Sequence, residues 1–265
     1  MVWLLSQLLQ IEEMIRRSGH TLLLLDYDGT LTPITSLSAQ ARLPSATKSV
    51  LRTLSRSPRV TVAVISGRPL VTLRQLVGVR NLTYVGNHGL EMWRRGRRTA
   101  VVVPKCSREA LSCVRPMLAS LVTDIPGASL EDKGLSLALH YRRVLASHVA
   151  GLKAGIRKAV LPFLQSGDLS LLNGKKVIEV RPGLTWTKGN AVLRLVKLMR
   201  RRGLLPIYIG DDRTDEDAFA MLIDGLTIRV GAHRRSKARY YVQNVREVVT
   251  FLERMATRLV KTPYP

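Results

Sequence analysis

The spacing of apolar residues changes along the chain, and these spacings predict its secondary structure. Residues 3–18 carry leucine and isoleucine at helical intervals, which predicts an amphipathic helix packed against the core. Residues 21–25 form a continuous apolar run of strand length that stops at the polar sequence DYDGT, as expected of a strand buried on both faces. The next predicted elements are a helix over 45–55, a strand over 60–65 and a strand at Tyr84–Val85. Alternating strands and helices predict an α/β fold with a parallel sheet flanked by helices.

The middle of the chain has a different pattern. The elements predicted there are a helix over 107–121, an alternating strand over 135–141, a helix over 147–164 and a strand over 176–180. After Lys188 the α/β order resumes with a helix over 189–201 and a strand over 205–209. We therefore expect a larger domain made of residues 1–103 and 184–265, and a smaller α+β domain, residues 104–183, inserted into it.

Lysine and arginine outnumber aspartate and glutamate by 42 to 19, a formal net charge of +23. Such an excess attracts anionic partners and makes a nucleic-acid-binding scaffold one hypothesis. The basic runs Arg94–Arg98, Lys197–Arg202 and Arg234–Arg239 are spread over the chain, however, and no zinc-finger, helix-turn-helix or aromatic RNA-binding motif accompanies them. A solvated basic surface is the preferred interpretation, and it leaves room for a second, anionic partner.

The composition, with 46% hydrophobic and 23% charged residues, is typical of a folded globular protein. No apolar run approaches the roughly 20 residues that a membrane span requires, and no basic segment precedes the apolar start. We therefore expect a cytoplasmic protein without a membrane partner. Cys106 and Cys113 are too far apart along a helix for easy bridging, so two buried, reduced thiols are expected.

Two carboxylates follow the first buried strand. Asp26 stands where the strand ends and Asp28 comes two residues later, at the edge of the sheet where α/β folds bind ligands. Asp26 can attack phosphorus and form an aspartyl-phosphate, which divides a slow hydrolysis into two easier steps. Asp28 can protonate the leaving oxygen and later deprotonate water. An acidic pair is also common in solvated turns, which favour Asp and Gly.

Other polar groups follow other strands or begin helices. Ser66 can donate its hydroxyl to phosphate, and Lys188, near a helix start, can neutralise charge. Two carboxylates facing a phosphate dianion require a cation, and Mg²⁺ prefers oxygen ligands. A further ligand is expected from Asp211 or Asp212, although their turn could equally be an N-cap cluster. Four such elements in one α/β chain together favour an active site.

The order of DYDGTLTPI, ISGR, TKGNA and GDDRTDEDAF resembles the haloacid dehalogenase (HAD) superfamily. GDDRTDEDAF, with GNHGLE and LEDKGLSLALHYR, is similar to the trehalose-6-phosphate phosphatases, and the resemblance spans most of residues 21–230. It implies a Rossmann-like HAD core with an inserted α+β cap that closes over the sugar. It also implies Mg²⁺-dependent hydrolysis of trehalose 6-phosphate to trehalose and phosphate through an aspartyl-phosphate.

The resemblance also implies a role for each matched residue. The catalytic residues would be Asp26 as nucleophile, Asp28 as acid/base and Lys188. The phosphate would be bound by Ser66, Gly67 and Lys188, and the metal by Asp26, the backbone carbonyl of Asp28, and Asp211, with Asp212 and Asp215 orienting its water shell. The substrate would be contacted by Arg68, Asn87 and His88 in the core and by Glu131, Lys133 and Glu179 in the cap. His88 has a structural role as an equal alternative, because a turn histidine often caps backbone groups.

Three functional hypotheses remain open at this point. The first is hydrolysis of trehalose 6-phosphate, with a separate synthase supplying the substrate and a monomeric phosphatase consuming it. The second keeps the chemistry but changes the substrate to sucrose phosphate or mannosylglycerate phosphate. The third is the basic nucleic-acid-binding scaffold on the same fold, against which the intact set of catalytic residues argues.

Overall fold

The computed structural model describes residues 1–34 and 41–261. The chain forms two compact units, one made of Met1–Ala100 with Trp186–Pro265 and the other of Val101–Thr185. Residues 35–40 and 262–265 of the predicted larger domain lie outside the described residues. No helix in the described part of the chain is both long and apolar enough to cross a membrane.

The elements are numbered in chain order. The strands are β1 (Val2–Trp3), β2 (His20–Asp26), β3 (Val60–Ile65), β4 (Thr83–Gly86), β5 (Glu91–Arg94), β6 (Arg97–Ala100), β7 (Ser129–Asp132), β8 (Leu137–His140), β9 (Leu169–Gly174), β10 (Val177–Pro182), β11 (Leu204–Gly210), β12 (Leu226–Val230) and β13 (Tyr240–Val242). The α-helices are α1 (Leu8–Arg17), α2 (Ser45–Arg56), α3 (Leu70–Val77), α4 (Lys105–Thr123), α5 (Ala146–Gln165), α6 (Lys188–Leu198), α7 (Glu216–Met221) and α8 (Val245–Lys261).

The larger unit is built on a nine-stranded sheet with the order β1-β13-β12-β11-β2-β3-β4-β5-β6. All neighbouring strands from β1 to β4 in that order are parallel, and only the β4–β5 and β5–β6 pairs are antiparallel. The predicted α/β fold with a parallel sheet flanked by helices is confirmed. The central strands β2 and β11 are neighbours, so their carboxyl ends bring Asp26 and the turn after Gly210 to the same edge.

Strand β2 is covered on both faces. Leu23 and Leu25 belong to one apolar cluster with residues of α1, α2 and α8, whereas Leu22 and Leu24 belong to another with residues of α6 and α7. Because successive side chains of a strand point to opposite faces, a strand between two helical layers needs a continuous apolar run. The same alternation directs Asp26 to the α6 side, where Lys188 contacts it.

The smaller unit has a four-stranded antiparallel sheet with the order β7-β8-β10-β9. Its apolar core joins Leu139 and Ile178 of the sheet to Val114 of α4 and Ile156 of α5. The two helices therefore cover one face of the sheet, and the residues that alternate with Leu139 and Ile178 lie on the other face.

The structure corrects the sequence prediction in several places. The start of the predicted 3–18 helix is instead β1 and a 3-10 turn, because Val2 and Trp3 pair with β13 as an edge strand. The hairpin of β5 and β6 was not predicted. Cys106 and Cys113 are free, but they are exposed and not buried as expected. The core-facing stripe of α4 includes Ala110, Val114 and Leu118, and neither cysteine falls on it.

Candidate active site

Lys188 joins two buried carboxylates at the carboxyl edge of the sheet. Its Nζ donates hydrogen bonds to Asp26 Oδ1 at 2.6 Å and to Asp215 Oδ1 at 2.8 Å. The three side chains are at most 5% exposed. Lys188 begins α6, and a capping box between Thr187 and Asn190 fixes the start of that helix. A buried ammonium requires such partners, because an unpaired charge in the interior is very costly.

Asp215 uses its acceptor positions within the protein. Besides Lys188, its Oδ1 accepts from the hydroxyl of Tyr208 at 2.6 Å. Its Oδ2 accepts from the backbone N–H groups of Asp211 and Asp212 at 3.0 and 2.9 Å. An ionised carboxylate has about four lone-pair sites, so these four bonds fill it. Asp215 is therefore suited to orienting Lys188 and the Asp211 turn rather than to binding a ligand.

The two carboxylates that share Lys188 differ in how stable their charge is. Burial raises the pKa of Asp26 well above its ordinary value; Lys188 opposes this shift, whereas the charges of Asp215 and Asp211 add to it. Burial also acts to raise the pKa of Asp215, but Lys188, Tyr208 and the backbone N–H groups outweigh it and lower the pKa. Burial alone would lower the pKa of Lys188, yet the charges of Asp215 and Asp26 raise it. Asp26 thus carries the least stabilised charge of this group.

Asp211 completes a cluster of acidic groups. One oxygen from each of Asp26, Asp211 and Asp215 lies within 4.8 Å of the others, and all three residues are buried. Two glycines make room for the cluster, because a Cβ on Gly29 would collide with the carboxylate of Asp211 and one on Gly210 with that of Asp215. Gly29 also has a φ of +86°, which other residues rarely adopt. The sequence therefore places glycine where the carboxylates need space.

The carboxylate of Asp28 is held separately, by Arg68. Arg68 Nε donates to Asp28 Oδ2 at 2.7 Å and its Nη2 donates to Oδ1 at 2.6 Å. The Arg68 side chain is 12% exposed and that of Asp28 36% exposed, so solvent reaches the pair from the aspartate side. The guanidinium also lies over the ring of Tyr27, 5.6 Å from its centroid. Both oxygens of Asp28 are therefore bound by one side chain.

The turns after β3 and β4 bring five predicted site residues together. Backbone hydrogen bonds join Asn87 to Arg68 and His88 to Ser66. Ser66 is buried, and its Oγ accepts from the backbone N–H of Arg68 at 3.2 Å. The ring of His88 lies against Gly67, where a Cβ would overlap it. This packing gives His88 a structural contact with the turn that holds Ser66.

The three predicted cap residues lie together in the smaller unit. Glu131 on β7 and Glu179 on β10 are both paired in register with Ala138 on β8, so their side chains lie on one face of the sheet. Lys133 Nζ lies 3.4 Å from Glu179 Oε1. Glu131 Oε2 is 2.8 Å from His140 Nε2. Ala138 lies between the two glutamates on the face opposite the helices, where it is fully buried.

The family model of the trehalose-phosphatases matches residues 24–246. The chain belongs to the trehalose-phosphatase family. Trehalose-phosphate phosphatase B of Arabidopsis thaliana is a relative with 30% identity over 262 residues, which cover 93% of this chain and 69% of the relative. The C-terminal domain of a C. albicans trehalose-6-phosphate phosphatase has a similar structure, with a TM-score of 0.79 and 25% identity over 93% of this chain and 95% of that domain. A solved trehalose-6-phosphate phosphatase related protein has a TM-score of 0.77 and 26% identity, covering 91% of this chain and 99% of that one.

Membership of the trehalose-phosphatase family agrees with an acidic cluster that fits a divalent cation. Its donors are carboxylate oxygens, the ligands that hard cations prefer. Since the four bonds of Asp215 fill that side chain, Asp26 and Asp211 are the carboxylates suited to direct coordination. The space that Gly29 leaves for the Asp211 carboxylate supports this assignment.

Sequence reasoning missed some members of this trehalose-phosphatase site. Tyr208 lies in the apolar strand sequence PIYIG, and a buried tyrosine hydroxyl usually has a hydrogen-bond partner, so the strand itself signalled a polar contact near Asp215. His140 alternates with Ala138 along β8 and therefore shares the face of Glu131. Gly29 belongs to the sequence DYDGT, but its role in admitting the Asp211 side chain needs the tertiary structure.

Proposed function

We propose that this chain hydrolyses trehalose 6-phosphate to trehalose and phosphate, with Asp26 as nucleophile and Asp28 as acid/base. The observation that carries the proposal is the buried arrangement of Asp26, Lys188 and Asp215 beside Asp211, where two parallel strands end. Membership of the trehalose-phosphatase family supports the choice of substrate. A solvated acidic turn would not be buried around a lysine in this way.

Two displacement steps account for the reaction. In the first, an Asp26 oxygen bonds to phosphorus while the bond to the sugar oxygen breaks, and Asp28 gives that oxygen its proton. In the second, Asp28 removes a proton from water, whose oxygen attacks phosphorus and releases phosphate and the Asp26 carboxylate. Lys188 stays between Asp26 and Asp215 and stabilises negative charge as it builds up near Asp26. The raised pKa of Asp26 is consistent with a reactive carboxylate.

Arg68 controls when Asp28 is available. Before substrate binds, its guanidinium occupies both Asp28 oxygens. A phosphate dianion competes for the same two-pronged donor, because guanidinium groups bind phosphate oxygens in pairs. We infer that Arg68 turns towards the phosphate together with Ser66 and the backbone of Gly67, which releases Asp28 to act on the leaving oxygen.

Asp26, Asp211 and the backbone carbonyl of Asp28 would hold Mg²⁺, with Asp212 and Asp215 orienting the surroundings. Bound there, the ion would neutralise charge on the phosphate and so permit its approach to the carboxylates. Asp212 caps the following 3-10 turn by accepting from the N–H of Arg213 at 2.7 Å. That bond keeps the Asp211 turn in the conformation that Asp215 also fixes.

The smaller unit supplies the sugar contacts in this proposal. Glu131, Lys133 and Glu179 can form charge-assisted hydrogen bonds with glucose hydroxyls, which are stronger than neutral ones. The ion pair of Lys133 with Glu179 and the contact of Glu131 with His140 hold the side chains in defined directions. Asn87 and His88 belong to the larger unit, where backbone hydrogen bonds join them to Arg68 and Ser66, two residues that this proposal assigns to the phosphate.

A panel of phosphate esters with Mg²⁺ tests the proposal. Trehalose 6-phosphate, glucose 6-phosphate, sucrose phosphate and mannosylglycerate phosphate are compared by kcat/KM, with Asp26→Asn as the inactive control. We expect trehalose 6-phosphate to be hydrolysed at least tenfold better than each of the others. Equal turnover of glucose 6-phosphate would refute the substrate assignment, and activity retained in Asp26→Asn would refute the mechanism.

The role of the smaller unit has its own test. Glu131→Ala should raise KM for trehalose 6-phosphate about tenfold or more and leave the turnover of a small aryl phosphate nearly unchanged, because only the disaccharide uses the lost contact. Glu109→Ala, an exposed glutamate on α4 of the same unit, is the matched control. Parallel losses for both substrates would contradict a sugar-binding role for Glu131.

A further inference from the structure

A pocket of about 400 Å³ opens on the larger unit between the β5–β6 hairpin and α6. Four of its lining residues are arginines: Arg94, Arg95 and Arg97 of the hairpin and Arg194 of α6. We refer to it as the arginine pocket. None of its described lining residues belongs to the acidic cluster. Arg194 lies six residues after Lys188 on α6, a rise of about 9 Å along the helix axis.

The cations of the arginine pocket are not neutralised by its walls. None of the described lining residues is acidic. Arg94 is half-buried, and its guanidinium contacts the thioether of Met199 with Nη2 3.0 Å from Sδ. Burial, together with the charges of Arg95 and Arg201, lowers the pKa of Arg94. The neighbouring Arg98, by contrast, forms an ion pair with Glu91. The pocket therefore concentrates like charges that an anion would relieve.

Protection of the sheet edge explains only part of this arrangement. Strand β6 is an edge strand, and charged side chains there discourage pairing with another chain. That function accounts for Arg97 and Arg98. It does not account for Arg194, which comes from a helix, or for Arg94, which is half-buried beside a methionine. Two different elements thus direct arginines into one pocket.

The chemistry of the walls limits the ligand. Guanidinium groups bind phosphate oxygens in pairs, so four of them match the oxygens of two linked phosphate groups, more than a single phosphate group offers. The volume lies within the range of small-molecule sites. Met92 and Leu198 add apolar surface, and Thr99 adds a hydroxyl. We propose that the arginine pocket binds a small molecule that contains a diphosphate group, such as a nucleoside diphosphate or inorganic pyrophosphate.

Calorimetric titration of the full chain tests the proposal, in buffer without Mg²⁺ so that none of the ligands is complexed by the ion. The ligands are pyrophosphate, ADP and AMP. Arg94→Gln/Arg194→Gln removes two pocket charges, and Arg52→Gln/Arg56→Gln removes two exposed charges on α2 as the matched control. We expect pyrophosphate and ADP to bind the wild type at least tenfold tighter than AMP. The pocket variant should lose at least tenfold in affinity for both, and the control less than twofold.

The results distinguish a nucleotide from inorganic pyrophosphate, and specific binding in the pocket from diffuse attraction to the basic surface. Tighter binding of ADP than of pyrophosphate indicates a nucleotide, and the reverse indicates the inorganic anion. Equal losses in the two double variants would show diffuse charge attraction and overturn the proposal, as would AMP binding as tightly as ADP or no binding below 1 mM. Binding of a mixed-sequence RNA in place of both diphosphates would also overturn it. If the pocket double variant does not fold, Arg194→Gln alone gives the same comparison.

Activity provides an independent check. The pocket variants should hydrolyse trehalose 6-phosphate at the wild-type rate without added diphosphate, because their side chains are not part of the catalytic cluster. A variant that loses diphosphate binding but keeps normal turnover therefore shows that the arginine pocket binds diphosphate separately from the catalytic cluster. Absence of turnover in both wild type and variants would refute the proposed function and leave the binding result unaffected.

Discussion

The space that Gly29 leaves for Asp211 leads to a quantitative prediction. In Gly29→Ala, the new Cβ would stand 2.6 Å from Asp211 Oδ1, and still closer to two other atoms of that carboxylate. Ordinary contact begins at 3.4 Å, so this oxygen must retreat by at least 0.8 Å, the difference between the two distances. A displacement of about 1 Å in a catalytic geometry can cost roughly 100-fold in rate. We therefore expect kcat/KM to fall about 100-fold, with more Mg²⁺ needed for half-maximal activity.

The effect of backbone strain must be separated from the effect of this collision, and a substitution at Gly231 provides the control. Gly231 has a φ of +81°, close to the +86° of Gly29, but a Cβ there would meet no atom within 4 Å among the described residues. Both alanine variants should lose about 1–2 kcal/mol of unfolding free energy from the left-handed backbone. Only Gly29→Ala should lose activity and Mg²⁺ affinity, measured by steady-state kinetics at varied Mg²⁺. Wild-type Mg²⁺ dependence in Gly29→Ala, or the same activity loss in Gly231→Ala, would refute the reasoning.

Three further predictions concern the charges of the site. Burial raises the pKa of Asp26, so the ionised side chain destabilises the folded protein at any pH above its ordinary pKa of 3.8. Asp26→Asn should therefore be inactive yet more stable than the wild type in EDTA at pH 7, with no gain in stability below pH 3.8. Equal urea midpoints of the two proteins at pH 7 would contradict this expectation. The pKa of Asp215 is lowered, so its charge stabilises the fold above pH 3.8. In urea unfolding, Asp215→Asn should lose about 3–5 kcal/mol of unfolding free energy. The control Asp212→Asn keeps its capping oxygen and should lose less than about 1 kcal/mol. Arg68→Lys keeps the charge but not the two-point contact with Asp28, so kcat should fall about tenfold; an unchanged kcat would exclude control of Asp28 by Arg68.

Local patterns predicted the central part of the fold well. Strand β3 was predicted with its observed bounds, and β2 and α2 within a residue at either end, because buried apolar runs and helical spacing are properties of short segments. The hairpin of β5 and β6 was missed since its strands are short and rich in arginine, a composition typical of surface loops. Its two-residue turn, Arg95–Gly96, places a non-glycine residue at a φ of 48°, which sequence preferences disfavour.

Contacts between distant segments were the part that the sequence could not supply. Both turns follow strands of one predicted parallel sheet, which indicated that Asp26 and Asp211 would lie at the same edge. This position did not show which acidic residue of the Asp211 turn faces inwards. Asp215 was expected to orient a water shell, and its four hydrogen bonds could be recognised only from the structure. The ion pair of Asp28 with Arg68 spans 40 residues and had no local signal.

The pKa values of Asp26 and Asp215 shift in opposite directions, although both carboxylates contact the same lysine. Lys188 contacts each at similar distance, so the lysine alone does not distinguish them. The difference comes from Tyr208 and two backbone N–H groups, which donate to Asp215 and stabilise its charge in the absence of any ligand. Asp26 has no such additional donors described, and its charge is opposed by Asp211 as well as by burial. A carboxylate whose charged form is disfavoured in this way gains stability when it bonds to phosphorus or meets a cation, whereas the charge of Asp215 is already stabilised by its donors. The fold thereby makes Asp26 the reactive member of the pair and Asp215 the fixed one.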